Sequence, residues 1–93
     1  MQEKYSELRC KEVINVCDGN RLGYVSDLEL ELPAGRILAL IVPGPRKVLG
    51  LFGREYDYCI PWPCIKRIGD DIILVDVALE QIRRPLVKKR PFC

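Results

Sequence analysis

The five cysteines are the side chains with the widest chemical range in this 93-residue sequence. Cys59 and Cys64 are separated by four residues and Cys10 and Cys17 by six, so four thiolates could in principle complete a tetrahedral zinc site. The spacing is loose, however, and two prolines stiffen the segment between Cys59 and Cys64. We therefore interpret Cys17 and Cys59 as small buried apolar residues and predict no metal site.

Three carboxylates recur at every second position, at Asp27, Glu29 and Glu31. In a strand this spacing places them on one face, where they could bind a hard cation or act on a proton. Alternating acids also mark the solvent side of a strand whose other side is apolar, and we favour that interpretation. The opposite, core-facing side is then predicted to carry three leucines: Leu28, Leu30 and Leu32.

The sequence lacks the residues that most enzymes use for nucleophilic catalysis. It contains no histidine and no threonine, and its only serines are Ser6 and Ser26, so a Ser/His or Cys/His pair cannot be assembled. The glycine-rich stretch from Gly44 to Gly50 lacks the Gly-Lys-Ser/Thr ending of a phosphate-binding loop. We therefore predict a protein that is not an enzyme and that uses no cofactor.

Aromatic and basic side chains are the candidates for binding a macromolecular partner. Trp62 stands between two prolines, and with Phe52 it could form a rigid aromatic anchor. The neighbouring cations Arg46 and Lys47 are included in this predicted partner-binding set. The alternative, which we favour for the indole itself, is that Trp62 is mainly a core residue that caps one end of the domain.

Positive charge is concentrated at the C-terminal end of the sequence. Residues 1–80 hold 10 Lys/Arg and 13 Asp/Glu (net −3), whereas residues 81–93 hold 5 Lys/Arg and no acid (net +5). These cations could neutralise phosphates of RNA, DNA or anionic lipid in a sequence-independent, salt-dependent way, although a solvated tail is the simpler interpretation. They are Arg83, Arg84, Lys88, Lys89 and Arg90.

Short apolar runs between turn signals predict the elements that position these residues. Residues 37–42 are six consecutive apolar residues and predict a buried central strand, and residues 72–77 predict a second one beside or across from it. A change in the apolar alternation predicts a bulge or bend near Ser26 and Asp27. Single helical turns are expected after Tyr5 and after Ala78.

About six short strands at this spacing predict an all-β fold, a small antiparallel barrel with at most short helical turns. We place this domain at residues 1–82 and a basic, flexible tail at residues 83–93. No apolar run reaches 18 residues and the N-terminus lacks a signal-peptide core, so we expect a cytoplasmic protein with reduced thiols. An unpaired strand edge or the tail could support a homodimer.

Several spaced motifs between residues 6 and 77 resemble those of one family, the YlmC/YmxH family of PRC-barrel proteins. The motifs include Asp18-Gly19, Arg21-Leu22-Gly23, Gly35-Arg36-Ile37, Gly50-Leu51-Phe52-Gly53 and Ile60-Pro61-Trp62. The resemblance implies a six-stranded barrel that serves as a docking module, in a family associated with sporulation and without an established molecular activity. More distantly, the pattern is similar to the barrel of the ribosome maturation factor RimM, which implies ribosome association as an alternative.

Overall fold

The computed structural model describes residues 2–44 and 56–85 of the chain. Within these ranges the chain forms eight short strands, two helical turns and one 3-10 turn. In chain order the elements are α1 (Tyr5–Leu8), β1 (Glu12–Asn15), β2 (Arg21–Tyr24), β3 (Asp27–Glu31), β4 (Arg36–Pro43), β5 (Tyr56–Pro61), the 3-10 turn (Trp62–Cys64), β6 (Ile65–Ile68), β7 (Ile72–Val75), α2 (Leu79–Ile82) and β8 (Arg83–Pro85).

The strands form two four-stranded sheets rather than the single antiparallel barrel predicted from the sequence. Sheet one has the order β2-β1-β7-β6 and sheet two the order β3-β4-β5-β8, and no closed barrel is formed by the described residues. The pairing of β1 with β7 is parallel, and the other pairings are antiparallel. Sequence periodicity predicts strands one at a time and carries no information on this distant pairing, which explains the difference.

The predicted bend near Ser26 is the point at which the chain passes from one sheet to the other. Val25 is buried in the core, and the run that looks like one long strand is divided into β2 of sheet one and β3 of sheet two. The break lets Leu22 of β2, Val25 of the connection and Leu28 of β3 all contact the core. The change in alternation therefore marks a change of sheet.

The predicted central strand is confirmed as β4, which lies between β3 and β5. Its Leu40 and Val42 are completely buried and pack against Ile60 of β5. The second predicted apolar strand is β7, in the facing sheet, where Ile73 and Val75 are likewise inaccessible to solvent. Contact between these two apolar strands and their neighbours forms the core.

Asn15 joins sheet one to the segment that follows β7. Its side chain is completely buried, and its Nδ2 donates to the carbonyl oxygen of Val77 at 2.9 Å. Its Oδ1 accepts the backbone N–H of Val77 at 3.1 Å and that of Cys17 at 3.3 Å. The pairing of β1 with β7 ends at Val75, and beyond it the Asn15 amide forms the hydrogen bonds that the backbone groups of Val77 need.

The turns carry the residues that their geometry requires. Gly19 has a positive φ of 74° in the connection between β1 and β2, and Gly35 has a φ of 77° between β3 and β4. The two short helical turns were both predicted, and Ile82 of α2 is buried in the core. None of the described helices is long and apolar enough to cross a membrane.

The first residues of the predicted tail are part of sheet two. Arg83, Arg84 and Pro85 form β8, which pairs with Tyr56–Tyr58 of β5. This departs from the expectation of a flexible segment beginning at residue 83, because the edge of β5 offers backbone groups with which these residues pair. Residues 86–93 lie outside the described residues, as do residues 45–55.

Candidate functional site

Large apolar side chains are exposed together at one end of sheet two. The exposed fractions are 49% for Leu30, 76% for Leu32, 43% for Leu38 and 38% for Trp62. We call these four residues the apolar ledge. Of the described residues, only Val16 and Tyr24 are other large hydrophobic residues with comparable exposure.

The strand register explains why these residues lie together. Leu28, Leu40 and Ile60 are directly opposite one another on β3, β4 and β5, so they share the inner face of sheet two. Because β3 and β5 run antiparallel to β4, the residues after Leu28 and Ile60 lie at the same end as those before Leu40. Leu30 is two residues after Leu28, Trp62 is two residues after Ile60, and Leu38 is two residues before Leu40. Leu30 and Leu38 therefore continue the inner face, while Leu32 follows the last residue of β3 and Trp62 lies in the 3-10 turn after β5.

The ledge is exposed because sheet one is shorter than sheet two. The strands of sheet one have four residues each, or about 13 Å, whereas β4 has eight, or about 26 Å. Leu40 and Ile60 are completely buried, whereas Leu38 and Trp62, each two residues away from them in the chain, are exposed. The prediction that Leu30 and Leu32 face the core is thus wrong, since sheet one does not extend far enough to cover them.

A β-bulge also shapes the ledge. The pairing of β3 with β4 changes from Glu29 opposite Ala39 to Leu30 opposite Ile37. Leu38 is therefore an extra residue with no partner on β3. The 3-10 turn follows the pairing of Pro61 with Ala39 and contacts β4.

Trp62 is held by the two prolines that flank it. Pro61 has extended backbone angles (φ −60°, ψ 141°), and Trp62–Cys64 form a 3-10 turn. Pro61 pairs with Ala39 of β4, which fixes the start of the turn. The indole is partly buried and partly exposed, so it has both the packing of a core residue and a surface that a partner could contact.

The three alternating acids each have a partner within the chain. The Asp27 carboxylate accepts the backbone N–H of Leu28 at 2.8 Å. Glu29 forms an ion pair with Arg84 at 2.6 Å, and Glu31 accepts a hydrogen bond from Nε of Arg36 at 2.8 Å. The carboxylates of Glu29 and Glu31 therefore link strands of sheet two, whereas that of Asp27 bonds within its own strand. No group of three or more Cys, Asp or Glu side chains in the described ranges could hold a metal ion.

The predicted anion-binding residues Arg83 and Arg84 also contact their own chain. The Arg83 guanidinium lies over the ring of Tyr56 at 4.9 Å from the ring centroid. The ring of Tyr56 in turn makes an edge-on contact with Tyr58, with centroids 5.5 Å apart and planes at 67°. Burial, together with the neighbouring Tyr56, raises the pKa of Tyr58. With Arg84 bound to Glu29, both arginines contribute to the packing of β8.

The cysteines do not converge on one site. Cys10 and Cys17 are exposed, whereas Cys59 and Cys64 are partly buried, and all four are free thiols. The prediction that Cys17 is buried is wrong because it lies in the turn after β1 and not in the strand itself. Burial raises the pKa of the Cys59 thiol and the Arg84 guanidinium opposes this only in part, so the thiol is protonated and poorly nucleophilic.

Of the predicted binding residues, the structure describes Trp62, Arg83 and Arg84, and it does not bring Trp62 together with the two arginines in one site. The remaining candidates lie outside the described residues: Phe52, Arg46, Lys47, Lys88, Lys89 and Arg90. Sequence reasoning missed the three leucines of the ledge. The difference in strand length could have indicated them, because the eight-residue β4 is longer than the four-residue strands of the other sheet and its end is left uncovered.

Comparisons with known proteins give a consistent result. A family model described as PRC-barrel domain matches residues 1–82. The chain is 46% identical to the "Probable sporulation protein YlmC" of Bacillus subtilis over 70 residues, which is 75% of this chain and 86% of that protein. It is 38% identical to the "Uncharacterized protein YmxH" of the same organism over 79 residues (83% and 92%), and 36% identical to an uncharacterized protein of Clostridium acetobutylicum over 69 residues (74% and 78%).

Proposed function

Because the chain belongs to the PRC-barrel domain family, we propose that it is a non-enzymatic adaptor module that docks a protein partner in a sporulation-linked process. The similarity to a probable sporulation protein supports the choice of process. The observation that carries the docking proposal is the apolar ledge, an exposed apolar surface built around a tryptophan held between prolines.

The ledge has the properties of a binding surface that is formed before the partner arrives. It exposes four large apolar side chains at one end of sheet two, and exposed apolar patches on a monomer are often functional. Trp62 is constrained by Pro61 and Pro63, so it loses little conformational freedom on binding. Tryptophans in such positions commonly contribute more than 2 kcal/mol to an interface.

The partner that fits this surface presents an apolar side chain, which would insert beside Trp62 and Leu38. The exposed Glu31–Arg36 ion pair lies on the outer face of sheet two, beside the turn that joins β3 to β4. The charges of a protein interface belong outside its apolar centre, as this pair does. A nucleic-acid backbone, by contrast, is bound through unpaired cations.

The alternative function, a nucleic-acid or ribosome-associated binder acting through the basic C-terminal end, receives less support from the described residues. Arg83 stacks on Tyr56 and Arg84 is paired with Glu29, so neither guanidinium is presented to solvent without a partner. The charges that would have to carry this function are those beyond Pro85. Binding of that kind would be sequence-independent and steeply salt-dependent.

We would test the docking proposal by affinity capture from a lysate of sporulating cells, after nuclease treatment and at two salt concentrations. Four proteins are compared: the full chain, Trp62→Ala, Tyr24→Ala and a variant ending at Pro85. Tyr24 is the matched control, because it is an exposed aromatic residue on sheet one, away from the ledge. The shortened variant keeps β8, which an earlier truncation would remove.

The proposal expects a protein that the full chain, Tyr24→Ala and the shortened variant retain and that Trp62→Ala loses. A loss of more than 2 kcal/mol corresponds to a reduction in affinity of about 30-fold. Retention that Trp62→Ala leaves unchanged would contradict docking at the ledge. Material lost with nuclease, high salt or removal of residues 86–93 would instead favour the electrostatic alternative.

A further inference from the structure

Strand β3 is an edge of sheet two, and no other described strand pairs with its outer side. The backbone N–H of Leu28 donates to the Asp27 carboxylate at 2.8 Å and not to a strand, so this donor faces the open side. Because backbone groups alternate along a strand, the N–H and carbonyl oxygen of Leu30 face the same side. β3 therefore presents backbone groups that a further strand could bind.

The apolar pattern of β3 is complementary to itself. Leu28 and Leu30 of β3 and Leu32, the residue after the strand, occupy alternate positions, with Leu30 at the centre of the three. If a second β3 pairs antiparallel about this centre, Leu30 lies opposite Leu30 of the second copy, and Leu28 lies opposite its Leu32. Leu30 and Leu32, exposed in the single chain, would then cover each other on the inner face.

The charges on the outer face permit this pairing. The same register places Glu29 opposite Glu31 of the second copy, and like charges in such positions ordinarily repel and protect an edge. Here Glu29 is paired with Arg84 and Glu31 with Arg36, so each carboxylate is accompanied by a cation of its own sheet. The outer face of β3 thus carries ion pairs and not uncompensated acids.

We propose that two copies of this chain associate through antiparallel pairing of their β3 strands, which joins the two copies of sheet two into one eight-stranded sheet. The self-complementary leucines and the paired acids identify a second copy, and not an unrelated strand, as the occupant of this edge. The two apolar ledges become continuous across the twofold axis, with a Trp62 toward either end. The inference does not depend on the docking function proposed above.

The small apolar area that the pairing covers indicates a weak dimer. Leu30 and Leu32 are the ledge residues that it covers, and their exposed surface is well below the approximately 800 Å² per partner of a stable complex. The backbone pairing of β3 adds to this area without bringing it to that of a permanent dimer. The dissociation constant is therefore expected in the micromolar range, well below about 1 mM.

Sedimentation equilibrium of the full chain, in reducing buffer and from about 1 μM to about 1 mM, tests this. We expect a reversible monomer–dimer equilibrium. Leu30→Lys places two ammonium groups at the twofold axis and is expected to raise the dissociation constant at least about 100-fold, since each substitution counts twice. Tyr24→Lys is the matched control, an exposed position on the edge strand of sheet one, and should change it less than about threefold.

Hydrogen–deuterium exchange of the unsubstituted chain gives a second measurement that does not rely on a variant folding. The amide of Leu30 should become more protected as the protein concentration rises, whereas amides of β2, the outer strand of sheet one, should not. A chain that is monomeric up to about 1 mM would overturn the proposal. So would a dimer that Leu30→Lys leaves intact, or one without added protection at Leu30. The docking proposal survives each of these results, because its test depends on Trp62.

Discussion

Replacement of Asn15 by alanine should cause the largest loss of stability of the polar substitutions considered. The side chain is buried, and it donates to the Val77 carbonyl oxygen and accepts the N–H groups of Val77 and Cys17. Val77 is itself buried, so water cannot readily replace the lost partners. Asn15→Ala therefore leaves two buried backbone groups of Val77 unsatisfied.

The magnitude follows from these two groups. Each buried polar group that loses its partner costs about 1–3 kcal/mol, which gives about 2–6 kcal/mol for the pair, and we expect about 3 kcal/mol. A chain of this length has a total stability of about 5–14 kcal/mol at 0.05–0.15 kcal/mol per residue. The substitution should therefore lower the melting temperature by about 12 °C or more.

Urea unfolding followed by far-ultraviolet circular dichroism measures the free energy of unfolding. Asn20→Ala is the control, because Asn20 is exposed in the same turn, and it should change the stability by less than about 0.5 kcal/mol. Asn15→Asp keeps the acceptor but removes the donor to Val77. Its loss should be larger at pH 7 than at acidic pH, where a protonated carboxyl can donate to the Val77 carbonyl oxygen.

A cost below about 1 kcal/mol for Asn15→Ala, with an unchanged dependence on urea, would refute this reasoning. It would mean that the connection between β1 and the segment after β7 does not depend on the amide. A loss of the same size in Asn20→Ala would refute it as well, because the effect would then belong to the turn and not to the buried hydrogen bonds.

Two further predictions concern titratable side chains. The pKa of Tyr58 is raised in the folded chain, so the stability that this phenol contributes is present below its unfolded pKa near 10 and is lost as the pH rises through the folded value. Tyr58→Phe should therefore reduce the loss of stability at alkaline pH. Urea unfolding at several pH values measures this. A thiol reagent at mildly alkaline pH should modify the exposed Cys10 and Cys17 before Cys59, because burial raises the pKa of the Cys59 thiol. Mass spectrometry of the modified peptides measures the order of modification. Faster modification of Cys59 would contradict the described burial.

The central strand and the bend before β3 could be predicted because both are local features of the sequence. Residues 37–42 are continuously apolar, and Val25 is out of phase with the leucines of β3. Such patterns require only the two-residue period of a strand. The structure confirms both as features of β4 and of the passage between the sheets.

The arrangement of the two sheets, and with it the ledge, could not be predicted in this way. Whether Leu30 and Leu32 are covered depends on how far sheet one extends over sheet two, which is decided by strands distant in sequence. The role of Asn15 was missed for the same reason, since its partner Val77 lies 62 residues away. The prolines beside Trp62 predicted a rigid segment, but not the exposed surface around the indole.

The parallel pairing of β1 with β7 has a consequence for the synthesis of the protein. Glu12–Asn15 are made early, but their partners, Ile72–Val75, emerge about 60 residues later. At roughly 5–20 residues per second, the interval is on the order of 3–12 s. Throughout this time β1 can pair only with β2, and its other edge has no partner, whereas the β1–β2 and β3–β4 hairpins can each form from neighbouring residues. The nascent chain can therefore form both hairpins several seconds before β7 completes the centre of sheet one.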